Sequence, residues 1–212
     1  MKIRIILLIM ITLSAALKAD LTQLKPIELG EKVGESENGS VWKSDSLLGH
    51  TNVLIYVDPD KINDVKECIL ILEEENSKHN KFGITYIVNT QATLIPTFLI
   101  KSKIRKKANN TENISYILDK NKVLINNWAL RDNSANILVL DSSNRILYQY
   151  SGKVGLSQLK KIFEIIEISI NKNQIIRRNN EKNYNYFSDD VDYDCSLAGT
   201  GNHRFTGCRK CL

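Results

Sequence analysis

Proline is scarce, at three in 212 residues, and no glycine repeats at every third position, so a collagen-like rod is excluded. Long hydrophobic runs are missing too. The apolar stretch Ile5 to Leu13, broken only by Thr12, is short of the about 20 residues a bilayer span needs. Charge of one sign is lacking where it would matter most. Between Asp20 and Ile170 there are 19 basic and 19 acidic residues, a net of zero. Such a domain presents no global field to draw in DNA or RNA. The chain is nonetheless rich enough in apolar residues (42%, against 25% charged) to exclude a wholly disordered protein. No internal repeat is present.

The first residues read as a processing segment. Lys2 and Arg4 form a positive n-region, Ile5 to Leu13 an apolar h-region, and Leu17-Lys18-Ala19 places a small residue before Asp20. This layout predicts a secretory signal peptide over residues 1–19, with an uncleaved anchor as the rival. Cleavage after Ala19 leaves 26 basic and 24 acidic residues, a net of +2, and no membrane span. Export removes nucleic acid further from the expected partners.

Residues 20–170 are regularly patterned. Asn52 to Val57 is an apolar run rich in β-formers, closed by Asp58-Pro59-Asp60, which predicts a buried strand running into a helix start. Ile62, Val65, Cys68, Ile69 and Leu72 recur at helical spacing, giving a helix from about Lys61 to Lys78. Phe82 to Val88 reads as a second strand, Thr97 to Lys107 as a helix with a basic outer face, and Ser115 to Leu118 as extended chain. Asn136–Leu140 and Arg145–Tyr150, joined by Asp141-Ser142-Ser143-Asn144, read as a hairpin. Ser157 is placed to cap a last helix with the stripe Leu159, Ile162, Phe163, Ile166 and Ile170. A strand–helix–strand crossover followed by a hairpin gives a mixed α/β sheet covered by helices on both faces, the order of a thioredoxin-like fold.

Composition changes near residue 171. Six asparagines fall between Asn171 and Asn185, an acidic stretch runs through Asp189, Asp190, Asp192 and Asp194, and Cys208-Arg209-Lys210-Cys211 closes the chain. Residues 171–212 therefore read as a flexible, disordered tail that cannot offset its ordering entropy by burial.

Tyr86-Ile87-Val88-Asn89-Thr90, Ile95-Pro96, Trp128-Ala129-Leu130 and Asn133-Ser134-Ala135 leading into Asn136-Ile137-Leu138-Val139-Leu140-Asp141 resemble the YtfJ family over residues 25–170. The resemblance implies a small bacterial periplasmic protein with a thioredoxin-like fold and no settled activity. Ile27 to Gly49 resembles the extra N-terminal hairpin of secreted thioredoxin relatives. The redox chemistry of such folds needs a low-pKa cysteine at the start of the first helix and a cis-proline before the strand beside it. Here the first turn reads Asp58-Pro59-Asp60-Lys61, and Ser134-Ala135 stands in the second place. Dithiol exchange by the usual mechanism is excluded for this domain, and no catalytic residue is nominated.

The remaining polar motifs each admit two readings. Asp58 and Asp60 are a carboxylate pair, but acids at a helix start are expected to cap it. Cys68 lies on an apolar helix face and is expected in the core. Trp42 and Trp128 read as apolar anchors or ligand platforms, which the sequence does not separate. Lys101, Lys103, Arg105, Lys106 and Lys107 form a solvated helix end or a surface for anionic lipid, polyanion or acidic protein. Asp190, Asp192 and Asp194 alternate as in a calcium loop but lack its glycine and closing glutamate. Cys195, His203, Cys208 and Cys211 would suffice for tetrahedral zinc. In an oxidising compartment a disulfide comes first, zinc second and a catalytic dithiol third. No cofactor is otherwise expected. Two functions follow: an exported, redox-inactive binding or accessory protein with a periplasmic protein or peptide partner, or an oxidoreductase or zinc protein acting through the tail.

Overall fold

The computed structural model describes residues 22–30, 32–109, 111 and 114–189, with side chains placed as far as Arg178. The leader and Asp190, Asp192, Asp194, Cys195, His203, Cys208 and Cys211 lie outside the described residues.

Among the described residues eight strands appear in chain order: β1 (Glu28–Leu29), β2 (Gly34–Ser36), β3 (Trp42–Lys43), β4 (Asn52–Val57), β5 (Gly83–Asn89), β6 (Ile114–Asp119), β7 (Ala135–Leu140) and β8 (Ile146–Ser151). The helices are α1 (Lys66–His79), α2 (Thr97–Ala108), α3 (Val123–Trp128) and α4 (Leu156–Asp189). Six strands form one mixed sheet in the order β2-β6-β5-β4-β7-β8, and β1 pairs with β3 separately. β4, β5 and β6 are mutually parallel, while β2, β7 and β8 run against their neighbours. All six residues of β4 are buried, as expected of a central strand covered on both sides.

Alternation along β4 divides the core. Val53, Ile55 and Val57 face Cys68, Ile69 and Leu72 of α1, Ile100 and Ile104 of α2, and Ile162 and Ile166 of α4. Leu54 and Tyr56 face Leu124 and Trp128 of α3 together with Leu24, Leu29, Trp42 and Leu47 from the N-terminal segment. Helices thus cover both faces, three on one and the short α3 on the other. Gly34 is required where β2 meets β6, because a Cβ there would stand 2.9 Å from the Leu29 Cβ and against the Leu118 carbonyl.

Several local expectations are corrected. The helix predicted from Lys61 begins instead as a 3-10 turn, Pro59–Asp64; Val65, at φ −128°, separates it from α1. α3 was not expected at all. Ser157 lies inside α4, whose first turn is closed by Gln158, its Oε1 accepting from the Gly155 N–H at 3.2 Å. Helical backbone also continues through the asparagine-rich stretch to Asp189, so the change in composition at 171 is not the end of regular structure. The helix is fastened there: Asn173 donates to Thr51 Oγ1 at 3.2 Å and accepts from Ser142 Oγ at 3.0 Å. The chain divides into compact units between Gln174 and Ile175. Among the described residues no helix is long and apolar enough to cross a membrane.

Candidate functional site

Each parallel strand ends in a carboxylate or an amide after an apolar run: Val57-Asp58 at β4, Val88-Asn89 at β5 and Leu118-Asp119 at β6. Sheet order brings these ends together on one edge, where β7 begins at Ser134-Ala135. All three polar residues are buried.

Asp58 follows the last residue of β4 and leads into the turn Pro59–Asp64, where the sequence carries no cysteine. Its side chain makes no helix-capping bond, which corrects the expectation from sequence. Oδ1 instead accepts from Asn89 Nδ2 at 2.7 Å, while Oδ2 is buried with no hydrogen-bond partner among the described residues. Burial pushes the Asp58 carboxyl above its ordinary value. Asn89 and the Ser134 backbone oppose that shift; the nearby charges of Asp132 and Asp60 add to it. Asp60 lies in the first turn of Pro59–Asp64, more than half exposed, with Lys61 at 3.8 Å. The two acids are therefore not a matched pair.

Asn89 is held in one orientation. Its Oδ1 accepts from the Gln91 N–H at 3.2 Å, which leaves the amide nitrogen to face Asp58. Asp119 is satisfied on both oxygens: Oδ1 accepts from the N–H groups of Asn121 and Val123, and Oδ2 from that of Leu124 and from the Tyr56 hydroxyl. Burial, then the Asp119 charge, drives the Tyr56 hydroxyl far above its usual range, so it stays protonated as a donor. Ser134 is placed by Asn136, which pins the preceding loop through Nδ2 to the Arg131 carbonyl and Oδ1 from the Arg131 N–H, both at 2.9 Å, and from Ser151 Oγ at 2.7 Å.

Sequence reading found Asp58 and Ser134 but not the parts played by Asn89, Asp119, Tyr56 and Asn136. The repeated apolar–polar strand ending was the available signal. The other candidates resolve simply. Trp42 and Trp128 are core, packed edge to face at 6.3 Å, with the Trp128 indole N–H donating to the Lys25 carbonyl at 2.8 Å. Cys68 is buried and free. Burial pushes its thiol up to about 12, so almost no thiolate exists at neutral pH. In the native protein Cys68 is expected to resist alkylation until denaturant is added; prompt labelling, followed by mass, would refute that burial. No group of three or more metal-ligating side chains occurs among the described residues. A cleft of about 580 Å³ opens at the opposite edge of the sheet, past His50, Asn52, Lys81 and Gly83; it touches none of the residues around Asp58.

Residues 27–169 match the family model described as "Bacterial protein of unknown function (YtfJ_HI0045)". The chain belongs to this family. It is 23% identical over 143 residues to the uncharacterized protein YtfJ of Escherichia coli, covering 65% of this chain and 78% of that one. An uncharacterized protein of Haemophilus influenzae is 21% identical over 155 residues, 71% of this chain and 84% of its own length. Among solved structures, BsSco, of the Sco family of cytochrome c oxidase assembly proteins, superposes with a TM-score of 0.53 at 11% identity, covering 72% of this chain and 96% of that one. The thioredoxin domain of a thiol-disulfide oxidoreductase from Bacteroides vulgatus gives 0.50 at 12%, covering 70% and 98%. These likenesses establish the thioredoxin-like fold of this YtfJ_HI0045 family member.

Proposed function

We propose that this chain is an exported, redox-inactive protein that binds a periplasmic protein or peptide at the edge formed by Asp58, Asn89 and Ser134. One observation carries the reading. The turn into the first helix, where thioredoxin-like oxidoreductases carry their reactive cysteine, has none; Asp58 at its start is buried and bonded to Asn89, while the one described cysteine is sequestered in the core. Asp60, Gln91 and Asp132 are exposed around that buried edge. The turn Pro59–Asp64 packs against both the turn Thr90–Ala92 and β7 there. Export rests on the leader sequence, and the partner class on the analogy with the fold's relatives.

The test uses a photo-crosslinking residue at the exposed position Gln91 and a second at exposed Lys160, on α4. Position 91 is expected to give a discrete adduct in the cell envelope that position 160 does not. Replacing Cys195, Cys208 and Cys211 by Ser should leave that adduct and the thermal stability unchanged. Turnover of a model disulfide faster than by free thiol, lost in the serine variant, would overturn the proposal in favour of the tail.

A further inference from the structure

The five positive charges of α2 are not equivalent. Lys101 pairs with Glu35 at 2.8 Å, Arg105 Nε donates to the Glu37 carbonyl at 2.9 Å, and Lys107 pairs with Glu73 at 2.7 Å. Lys103 and Lys106 are exposed and make no ion pair or hydrogen bond among the described residues. The same helix begins in an apolar knob. Leu94 is fully exposed at 102% and Phe98 at 69%, with Ile95 and Leu99 beside them, on the loop before α2 and its first turn. Their contact side is already settled, because Ile100 and Ile104 face the core.

We propose that this end of α2 docks on an anionic lipid surface. Two features favour lipid over a protein partner. Four side chains fall far short of the about 800 Å² per partner of a stable protein interface. Charge and apolar surface are also layered along the helix. At about 1.5 Å per residue, Lys103 stands about 8 Å and Lys106 about 12 Å along the axis from Phe98. With the start of α2 turned toward the bilayer and the knob sunk about 5–10 Å into the boundary of headgroups and acyl chains, both ammonium groups reach phosphate level by extending their stems. The carboxylates paired with this helix, Glu35 and Glu73, are taken up by Lys101, Lys120 and Lys107.

The test places an indole on the knob by Phe98→Trp in the full chain. Trp42 and Trp128 are buried and supply a constant background. A reporter at position 98 senses only its own surroundings, so binding through the leader does not mimic the effect. With vesicles containing about 30 mol% phosphatidylglycerol in phosphatidylcholine, the emission is expected to shift to the blue and to be quenched by brominated acyl chains. Phosphatidylcholine alone should do neither. Adding Lys103→Gln and Lys106→Gln should weaken the apparent partition about 30-fold, at about one lysine's worth of surface attraction each. An unchanged emission with anionic vesicles overturns the proposal. So does an equal response to neutral vesicles, or a shift that grows with protein concentration without lipid, which would make the knob an interface between copies. A shift with lipid-free envelope protein and none with vesicles would make it a protein-docking surface, again overturning it.

Discussion

Asp119→Ala is expected to cost the domain about 3–5 kcal/mol, because it strips four donors of one buried acceptor. Asp119 is fully buried at the end of β6. Its oxygens take the N–H groups of Asn121 at 3.1 Å, Val123 at 3.0 Å and Leu124 at 3.0 Å, and the Tyr56 hydroxyl at 3.3 Å. The N–H groups of Val123 and Leu124 are among those a helix cannot satisfy within itself, and water does not reach the buried one. The bend before α3 also passes through Lys122 at φ +53°, a conformation a lysine adopts only when its surroundings impose it. Without the carboxylate that bend loses its template, and α3 no longer presents Leu124 and Trp128 to Leu54 and Leu138 across the sheet. Asp119→Asn should recover only part of the loss, since its amide nitrogen would face an N–H or a hydroxyl donor. Denaturant unfolding of the three proteins decides the matter; a loss under about 1 kcal/mol for the alanine variant would show that the turn is held by other contacts.

How much of this was legible depended on the range of the interactions. β4, β5, α1, α2 and the β7–β8 hairpin announced themselves because each carries its own apolar period or run, and their order sufficed for the thioredoxin-like fold. α3 did not, since six residues make fewer than two turns and show no period. The pairing of β2 with β6 joins Gly34 to Asp119 across most of the domain, and nothing local marks a three-residue strand. The continuation of α4 was hidden by composition: asparagines weaken a helix, yet Asn173 is held by Thr51 and Ser142, which are remote in sequence. The candidate site shows the same division. Asp58 stood out beside Pro59, but its local reading as a cap lost to Asn89, 31 residues away. A side chain that competes for a buried partner goes to whichever neighbour the sheet brings to it. Registers that align Val57 with Val88, and Asn89 with Asp119, are a tertiary fact.

Asn89→Val tests whether that pairing is the organising contact of the edge. The variant keeps a branched side chain at the strand end but removes the 2.7 Å hydrogen bond from Asn89 to the Asp58 carboxylate, so a loss of about 3–5 kcal/mol is expected at neutral pH. Acid should relieve it. Burial already raises the Asp58 carboxyl above its ordinary value in the folded protein, and Asn89 works against that rise. A group whose folded pKa is raised gives stability that is fully present below its unfolded value and is lost as pH climbs through the folded one. Removing Asn89 lifts the folded value further, so the gap between variant and parent should be widest at neutral pH and narrow as pH falls toward about 4. Asp58→Val in the Asn89→Val background removes the stranded carboxylate and should restore about 2 kcal/mol at neutral pH; the lost Asn89–Gln91 bond keeps the recovery incomplete. Denaturant midpoints for the four members of this cycle, taken at both pH values, separate two accounts of the edge. A coupling that grows with pH means the amide holds a charged carboxylate, so the edge carries a buried negative charge at neutral pH. A coupling of zero at both pH values would mean that Asp58 and Asn89 merely share the edge, and the organising role would pass to Asp119.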